Sequence, residues 1–190
     1  MTSRPRLAVV LGSYREGRFG PVVGHWVADH AHLHGAFDVE VVDLATQDLP
    51  IPHPADPRGA AGPFLGALER ADAVVLVTPE YNHSFPGILK VALDLVGDEL
   101  RDTPVGIVTY GGISGGLRAA EALRPVLSAI SAFAIQDTVS FAHPQRRFVD
   151  SQLVDGAPAT EQATDRLLDE LARYTALLSR AAVETATAAA

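Results

Sequence analysis

The chain has 190 residues, 47% of them hydrophobic, and this length and composition fit one folded domain over residues 1–190 rather than a disordered chain. The formal net charge of −8 argues against nucleic acid or an anionic membrane surface as the main partner, and no apolar run is long enough to cross a membrane. The absence of cysteine excludes a disulfide framework, a thiolate nucleophile and an iron–sulfur site, and since the N-terminus lacks a signal-peptide pattern we expect a cytoplasmic protein.

The first third of the chain reads as two strands and two helices. Apolar residues predict a strand over residues 5–11, a glycine-containing loop over 12–20, and a helix opened by Pro21, because proline is tolerated in the first helical turn. Residues 37–44 alternate only in part, which indicates a strand at the edge of a sheet. Five prolines between residues 45 and 63 predict an irregular loop, followed by a short helix from about 64 to 70.

Residues 71–97 carry the clearest pattern. The wholly apolar run at 73–77 predicts a strand buried on both faces, followed by a loop over 78–87 and a helix to about residue 96. The rest of the chain predicts a fourth strand at 103–110, a glycine loop at 111–116, a helix at 117–129, a fifth and broken strand at 132–141, and a loop at 143–158. Thr160 is expected to cap a last helix that runs to about Val183, with a frayed tail after Glu184.

Five strands alternating with five helices predict an α/β fold: a doubly wound, three-layer parallel sheet. Right-handed crossovers leave few topologies, and we expect the flavodoxin-like strand order 2-1-3-4-5. In that order the first and third strands are neighbours. The loops at 12–20 and 78–87 should then share one crevice at the carboxyl edge of the sheet, where open α/β folds bind their ligands.

The first loop, residues 12–20, has the composition of an anion site. Loop amides and the following helix N-terminus would attract a phosphate group, with Ser13 as a hydroxyl donor and Arg15 and Arg18 as cations. The spacing matches neither GxGxxG nor GxxxxGK[ST], which argues against a Rossmann dinucleotide site and a P-loop. A solvated glycine turn with surface arginines is the alternative.

The second loop (residues 78–87) and the third loop (residues 110–116) have features that would fit a flat ligand, but no recognisable catalytic group. Glu80 is the only acid at 78–87, and no nucleophile has a base beside it in a suitable arrangement, which disfavours a hydrolase. Pro79 stiffens the second loop, and Tyr81 either forms a planar wall for a heterocycle or plugs the base of the loop. The four glycines at 111–116 either let the backbone approach a ligand closely or form a plain tight turn.

The motifs in these loops resemble those of the NADPH-dependent FMN reductase family. The resemblance runs from about residue 7 to 141 and rests on GSxR at 12–15, on TPEYNxSxPGxLKxAxD at 78–94 and on the glycine loop after Tyr110. It implies a flavodoxin-like fold and a homodimer or homotetramer. It also implies hydride transfer from NADPH or NADH through FMN to a small acceptor such as a quinone, a free flavin or an azo dye. The alternative is a non-enzymatic flavin carrier, electron-transfer module or sensor.

The resemblance also implies which residues bind the cofactor. Ser13 and Arg15 would hold the FMN phosphate with the backbone of Phe19 and Gly20, and four residues of the second loop would line the isoalloxazine, mainly through main chain. Five residues of the third loop would close the other edge of the ring. The full set is Ser13, Arg15, Arg18, Phe19, Gly20, Pro79, Glu80, Tyr81, Asn82, Tyr110, Gly111, Ser114, Gly115 and Gly116.

Two positions depart from the family's usual residues. Arg18 stands where members often have a small hydroxyl residue, and Gly20 where they often have asparagine, so two usual phosphate donors are missing. Arg18 would compensate as a cation, or FMN would bind weakly as a dissociating substrate. No catalytic side chain and no metal are expected, because the cofactors carry the hydride.

Two further groups invite a functional reading. His30 and His34 have the i,i+4 spacing of metal ligands, but no acidic third ligand is spaced to join them, and a solvated helix face is favoured. His143, Arg146 and Arg147, after the fifth strand, would either contact the 2′-phosphate of NADPH or a partner subunit, or form an exposed basic turn.

Overall fold

A computed structural model describes residues 4–188, with side chains as far as Ser179. The strands of the main sheet are β1 (Arg6–Leu11), β2 (Asp38–Asp43), β3 (Ala73–Pro79), β4 (Pro104–Gly111) and β5 (Phe133–Ala142). These five parallel strands lie in the order β2-β1-β3-β4-β5, which confirms the predicted flavodoxin-like topology. All seven residues of β3 are buried, because β3 pairs with β1 on one side and β4 on the other.

Helices cover both faces of the sheet. They are α1 (Gly20–His34), α2 (Pro57–Glu69), α3 (Gly87–Asp94), α4 (Leu117–Ala129) and α5 (Ala157–Ala188). Successive residues of β1 point to opposite faces, with Leu7 and Val9 packed among α1 and α5 and with Ala8 and Val10 packed among α2, α3 and α4. The two apolar layers leave the carboxyl edge of the sheet to the loops.

Helix α2 and strand β5 differ from the sequence prediction in their extent. Helix α2 starts at Pro57 rather than near residue 64, because the Asp56 carboxylate caps it by accepting the Gly59 N–H at 3.1 Å and proline fits the first turn. The backbone kinks at Ala61, two residues before Pro63. Strand β5 is continuous over ten residues, and the expected break is a register shift in its pairing with β4.

The segment before the last helix is more ordered than predicted. The expected loop at 143–158 contains a short antiparallel hairpin, β6 (Phe148–Val149) and β7 (Gln152–Leu153). Thr160 does not cap α5 but lies inside it, where its hydroxyl donates to the Gly156 carbonyl at 3.0 Å and accepts from Arg147 at 2.7 Å. Helix α5 continues to Ala188, beyond the point where fraying was expected, and residues 189–190 lie outside the described part of the chain.

Two of the four histidines of α1 face acidic residues of α5. His30 Nε2 lies 2.8 Å from Asp165 Oδ1, and His34 Nε2 lies 3.1 Å from Asp169 Oδ1. These pairs connect two helices, and the side chains of His30 and His34 are only 16% and 15% exposed, which corrects the expectation that they form a solvated helix face. Across the described residues, no group of three or more His, Asp or Glu side chains is arranged to hold a metal ion. No helix between residues 4 and 188 is both long and apolar enough to span a membrane.

Candidate cofactor site

The first and second loops meet at the carboxyl edge of the sheet. Because β1 and β3 are paired neighbours, the Gly12 N–H donates to the Val77 carbonyl at 2.8 Å as the first loop leaves β1. Further out, the Arg15 guanidinium carbon lies 4.0 Å from the centre of the Tyr81 ring. Burial raises the pKa of Tyr81, and the Arg15 charge opposes that shift. The predicted convergence of the two loops is confirmed by this contact.

Two buried hydroxyl groups lie at the base of the first loop. Ser13 is 0% exposed and Tyr110 is 5% exposed, and among residues 4–188 neither hydroxyl oxygen has a hydrogen bond of good geometry. Burial raises the pKa of Tyr110 well above its usual range, while the nearby Ser13 hydroxyl only partly opposes this. A Cβ atom at position 20 would lie 2.0 Å from Ser13 Oγ and 2.9 Å from the Tyr110 hydroxyl oxygen, so the start of α1 requires glycine.

Arg18 turns toward β2 and the backbone of its own loop. One terminal nitrogen lies 2.9 Å from the Ser13 carbonyl oxygen and 2.7 Å from an Asp43 carboxylate oxygen, and the other also bonds Asp43. The hydrogen bond to Asp43 raises the pKa of Arg18, against the effect of burial. The side chain of Phe19 packs edge-on against Phe148, with ring centres 5.8 Å apart. Only the backbone of Phe19 therefore remains for the phosphate role that the resemblance implies.

The second loop is a tight turn at the end of β3. Tyr81 and Ser84 exchange backbone hydrogen bonds of 2.8 and 3.0 Å, and the two residues between them have positive φ, 51° at Asn82 and 66° at His83. Two successive left-handed residues are the mark of a type I′ turn, for which asparagine is well suited. The turn holds Tyr81 half-buried beside Arg15 and leaves Asn82 and His83 exposed.

Glu80 ties the second loop to the third loop and to α4. Its carboxylate, on a side chain only 8% exposed, accepts hydrogen bonds from Ser114 Oγ at 2.8 Å, the Arg118 backbone N–H at 3.1 Å and the Arg118 guanidinium at 2.7 Å. Burial by itself would raise the pKa of Glu80, but the hydrogen bonds from Arg118 and Ser114 outweigh it, and the pKa lies below its usual value. These partners occupy the Glu80 carboxylate and the Ser114 hydroxyl, and sequence reasoning did not find Arg118.

Two glycines of the third loop leave no room for a side chain. Gly115 and Gly116 have φ of 62° and 93°; a Cβ atom on Gly115 would lie 2.2 Å from Ser140 Oγ, and one on Gly116 would lie 2.6 Å from Thr109 Cβ. The Gly115 carbonyl accepts hydrogen bonds from Thr109 Oγ1 at 3.0 Å and Ser140 Oγ at 2.9 Å. The Gly111 carbonyl accepts the His143 N–H at 2.8 Å. The sequence identified the glycines but not these two hydroxyl residues.

The basic residues after β5 divide into two kinds. Arg147 is held inside the hairpin segment by the Asp155 carbonyl, 3.0 Å from Nη2, and by Thr160. His143 and Arg146 are exposed, and the His143 backbone bond to Gly111 places this turn beside the third loop. Pro79, the remaining predicted residue, ends β3 opposite Tyr110 of β4.

Comparison with known proteins finds related sequences over most of the chain. The family model described as NADPH-dependent FMN reductase matches residues 5–145. A NAD(P)H-dependent FMN reductase of Schizosaccharomyces pombe is 35% identical over 126 residues, which cover 59% of this chain and about three fifths (60%) of that relative's length. A quinone reductase of Escherichia coli is 27% identical over 187 residues, covering 95% of this chain and 98% of that protein.

The structural comparison gives the same fold. FerB, a flavoenzyme NAD(P)H:(acceptor) oxidoreductase of Paracoccus denitrificans, superposes with a TM-score of 0.72 at 21% identity, covering 90% of this chain and 97% of FerB. Likeness at this level of identity establishes the fold alone. The match of the family model, which includes all three loops of the candidate site, establishes that the chain belongs to the NADPH-dependent FMN reductase family.

Proposed function

We propose that this protein is an FMN-dependent NAD(P)H oxidoreductase that passes electrons to a small acceptor such as a quinone, a free flavin or an azo compound. The observation that carries the proposal is the meeting of the first two loops, with Arg15 lying 4.0 Å over the Tyr81 ring. A turn with the composition of an anion site and a planar aromatic side chain are thereby brought together at the carboxyl edge of the sheet. The names of the relatives given above support the same activity.

The residues present suit FMN. At one end of the crevice, the N-terminus of α1, the exposed Arg15 and the unpartnered hydroxyl of Ser13 match a phosphate dianion. At the other end, the Tyr81 ring and the backbone of the Asn82–His83 turn match the face and edge of a heterocycle. The FMN phosphate would be held by Ser13 and Arg15, and the ring would lie against residues 79–82.

The chemistry of hydride transfer between a nicotinamide and an acceptor is supplied by the flavin when it is bound. The protein's own task is to bind and orient the ring, and this needs no side chain that gains or loses a proton. Glu80, the acid nearest the crevice in sequence, is already committed to Ser114 and Arg118. Its role in this proposal is to hold the second and third loops at a fixed separation.

We also propose that the protein works as a homodimer or homotetramer in the cytoplasm, where NAD(P)H is supplied. Support for self-association comes from apolar side chains at the rim of the site. Ile113 is 89% exposed and Leu117 is 52% exposed, although both belong to the segment that borders the candidate crevice. An acidic chain with no cysteine is compatible with a reducing compartment.

The first test measures FMN binding by quenching of flavin fluorescence and then follows NADPH oxidation at the nicotinamide absorbance band with 1,4-benzoquinone present. We expect binding, and oxidation that depends on both FMN and the quinone. Binding without oxidation by any quinone, azo compound or free flavin would favour the non-enzymatic carrier. Failure to bind FMN would overturn the proposal.

The Arg15→Ala variant makes the test specific to the site. Loss of a charged contact to phosphate is expected to weaken FMN binding about tenfold or more, while the rate at saturating FMN stays close to that of the unmodified protein. Arg101→Ala is the matched control, since Arg101 is exposed and precedes β4 at the opposite edge of the sheet. A rate loss that excess FMN does not restore would contradict the role given to Arg15.

A further inference from the structure

The Tyr110 side chain leaves its own loop and reaches the first one. Tyr110 lies near the end of β4, where its carbonyl accepts the Glu80 N–H, and its ring packs within the apolar layer formed with α1 and α5. The hydroxyl ends beside Ser13 Oγ and the Cα of Gly20, and in the described part of the chain it has no hydrogen-bond partner of good geometry. Leaving a buried hydroxyl unpaired is unfavourable, so this position suggests a missing partner.

The start of α1 has few backbone donors of its own. Pro21 has no N–H, and the N–H groups of Val22 and Val23 point at the Phe19 carbonyl, at 3.1 and 3.4 Å. An anion at a helix N-terminus is normally held by these first backbone N–H groups. The hydroxyls of Ser13 and Tyr110 are further donors beside Gly20, and among residues 4–188 neither has a hydrogen-bond partner of good geometry.

We propose that Tyr110 is a phosphate-binding residue: its hydroxyl, together with Ser13, donates to the flavin phosphate and makes the protein prefer FMN to riboflavin. This proposal rests on the proposed function. It moves Tyr110 from the ring edge, where the family resemblance would put it, to the phosphate end of the crevice. Gly20 is then required because any side chain there would occupy the space of the two hydroxyls.

The chemistry of the pair suits a dianion. Burial raises the pKa of Tyr110, so its hydroxyl stays protonated and able to donate throughout the neutral pH range. Hydrogen bonds from a neutral donor to a charged oxygen are stronger than those between neutral groups. Both oxygens are covered, so the phosphate reaches them by a change of the Ser13 rotamer and an outward shift of the exposed residues 14–17.

The test compares FMN with riboflavin, which lacks only the phosphate. Dissociation constants for both flavins are measured by fluorescence quenching on the unmodified protein and on Tyr110→Phe, which removes a single oxygen. We expect Tyr110→Phe to weaken FMN binding about tenfold or more and to leave riboflavin binding within about twofold. Gly20→Ala, which displaces both hydroxyls, should give the same selective loss, with folding of each variant checked by circular dichroism.

Tyr174→Phe is the matched control, because Tyr174 is a partly buried tyrosine on α5 that packs against Phe133. It should change neither dissociation constant. Equal losses of FMN and riboflavin in Tyr110→Phe, or no loss of FMN, would overturn the phosphate role while leaving the proposed function intact. If the unmodified protein bound neither flavin, both the proposed function and this inference would fail.

Discussion

Glu80 is the residue on which the relative positions of the second loop, the third loop and α4 depend. Its carboxylate is nearly buried and accepts three hydrogen bonds from Ser114 and Arg118. Glu80→Gln keeps the size of the side chain but removes the charge, so we expect a loss of about 1–3 kcal/mol in the free energy of unfolding at pH 7. Urea unfolding followed by circular dichroism measures it, and Glu121→Gln, in an exposed pair with Arg124, should change the value by less than about 0.5 kcal/mol.

The same variant has a defined pH dependence. A carboxyl group whose pKa is lower in the folded chain than its ordinary value of 4.5 stabilises the fold above that value, and the contribution disappears as the pH falls through the folded pKa. The difference in stability between the unmodified protein and Glu80→Gln should therefore be complete at pH 6–7 and shrink below about pH 4. A difference that stayed constant from pH 7 to about pH 3 would show that the carboxylate charge is not responsible.

Contacts within the candidate site were predictable where they follow from the positions of the loops in the strand order. Arg15 and Tyr81 follow paired neighbouring strands, so their contact could be expected from the strand order. The reason for glycine at position 20 could not, because the atoms that forbid a side chain belong to Ser13 and to Tyr110, which is distant in sequence. A contact made by a long side chain across the sheet leaves no periodic pattern in the sequence.

The third loop is the element whose backbone conformation the site depends on most. At Gly116, φ is 93° and a Cβ atom would lie 2.6 Å from Thr109 Cβ and 2.8 Å from the Tyr110 N, whereas at Gly112 the nearest atom is 4.0 Å away. We expect Gly116→Ala to destabilise the protein by about 2 kcal/mol or more and Gly112→Ala to cost less than about 1 kcal/mol. Thermal unfolding of both variants measures this, and equal costs would mean that the loop adapts freely.

The elements were predicted best where one pattern governs a whole segment. The apolar run at 73–77 predicts β3 to within two residues, and the helix expected at 117–129 has those bounds in the structure. The prolines before residue 64 predict a loop, whereas Asp56 and Pro57 together form the start of α2, so the helix is longer than the sequence indicates. The β6–β7 hairpin has strands of only two residues, which are too short to show an alternation of apolar and polar residues in the sequence.

At the scale of the whole molecule, strand order follows from few rules, but contacts between helices do not. Alternating strands and helices with right-handed crossovers leave little freedom, and the sheet has the expected order. The pairing of His30 and His34 with Asp165 and Asp169 needs the relative rotation and height of α1 and α5. Those quantities depend on the packing of the apolar layer between the helices and the sheet.

The surface of the molecule predicts where copies would associate. Ile113 and Leu117 are exposed apolar residues at the two ends of the short segment 113–117 at the rim of the crevice, where the Leu117 N–H donates to the Ser114 carbonyl at 3.2 Å. If this segment is buried in a homo-oligomer, an acidic side chain there would remove the apolar contact, worth about 1.5–3 kcal/mol for a fully buried isoleucine, and would add the cost of desolvating a charge. We therefore expect the unmodified protein to be a dimer or tetramer and Ile113→Glu to weaken association at least tenfold.

Light scattering coupled to size-exclusion chromatography, over a range of protein concentrations, measures the mass of each species. Leu33→Glu is the matched control, because Leu33 is 87% exposed against 89% for Ile113 but lies near the C-terminal end of α1, away from the crevice. A monomeric unmodified protein would contradict the proposed oligomer. If Leu33→Glu dissociated the oligomer and Ile113→Glu did not, the interface would lie on α1 and the segment 113–117 would not be part of it.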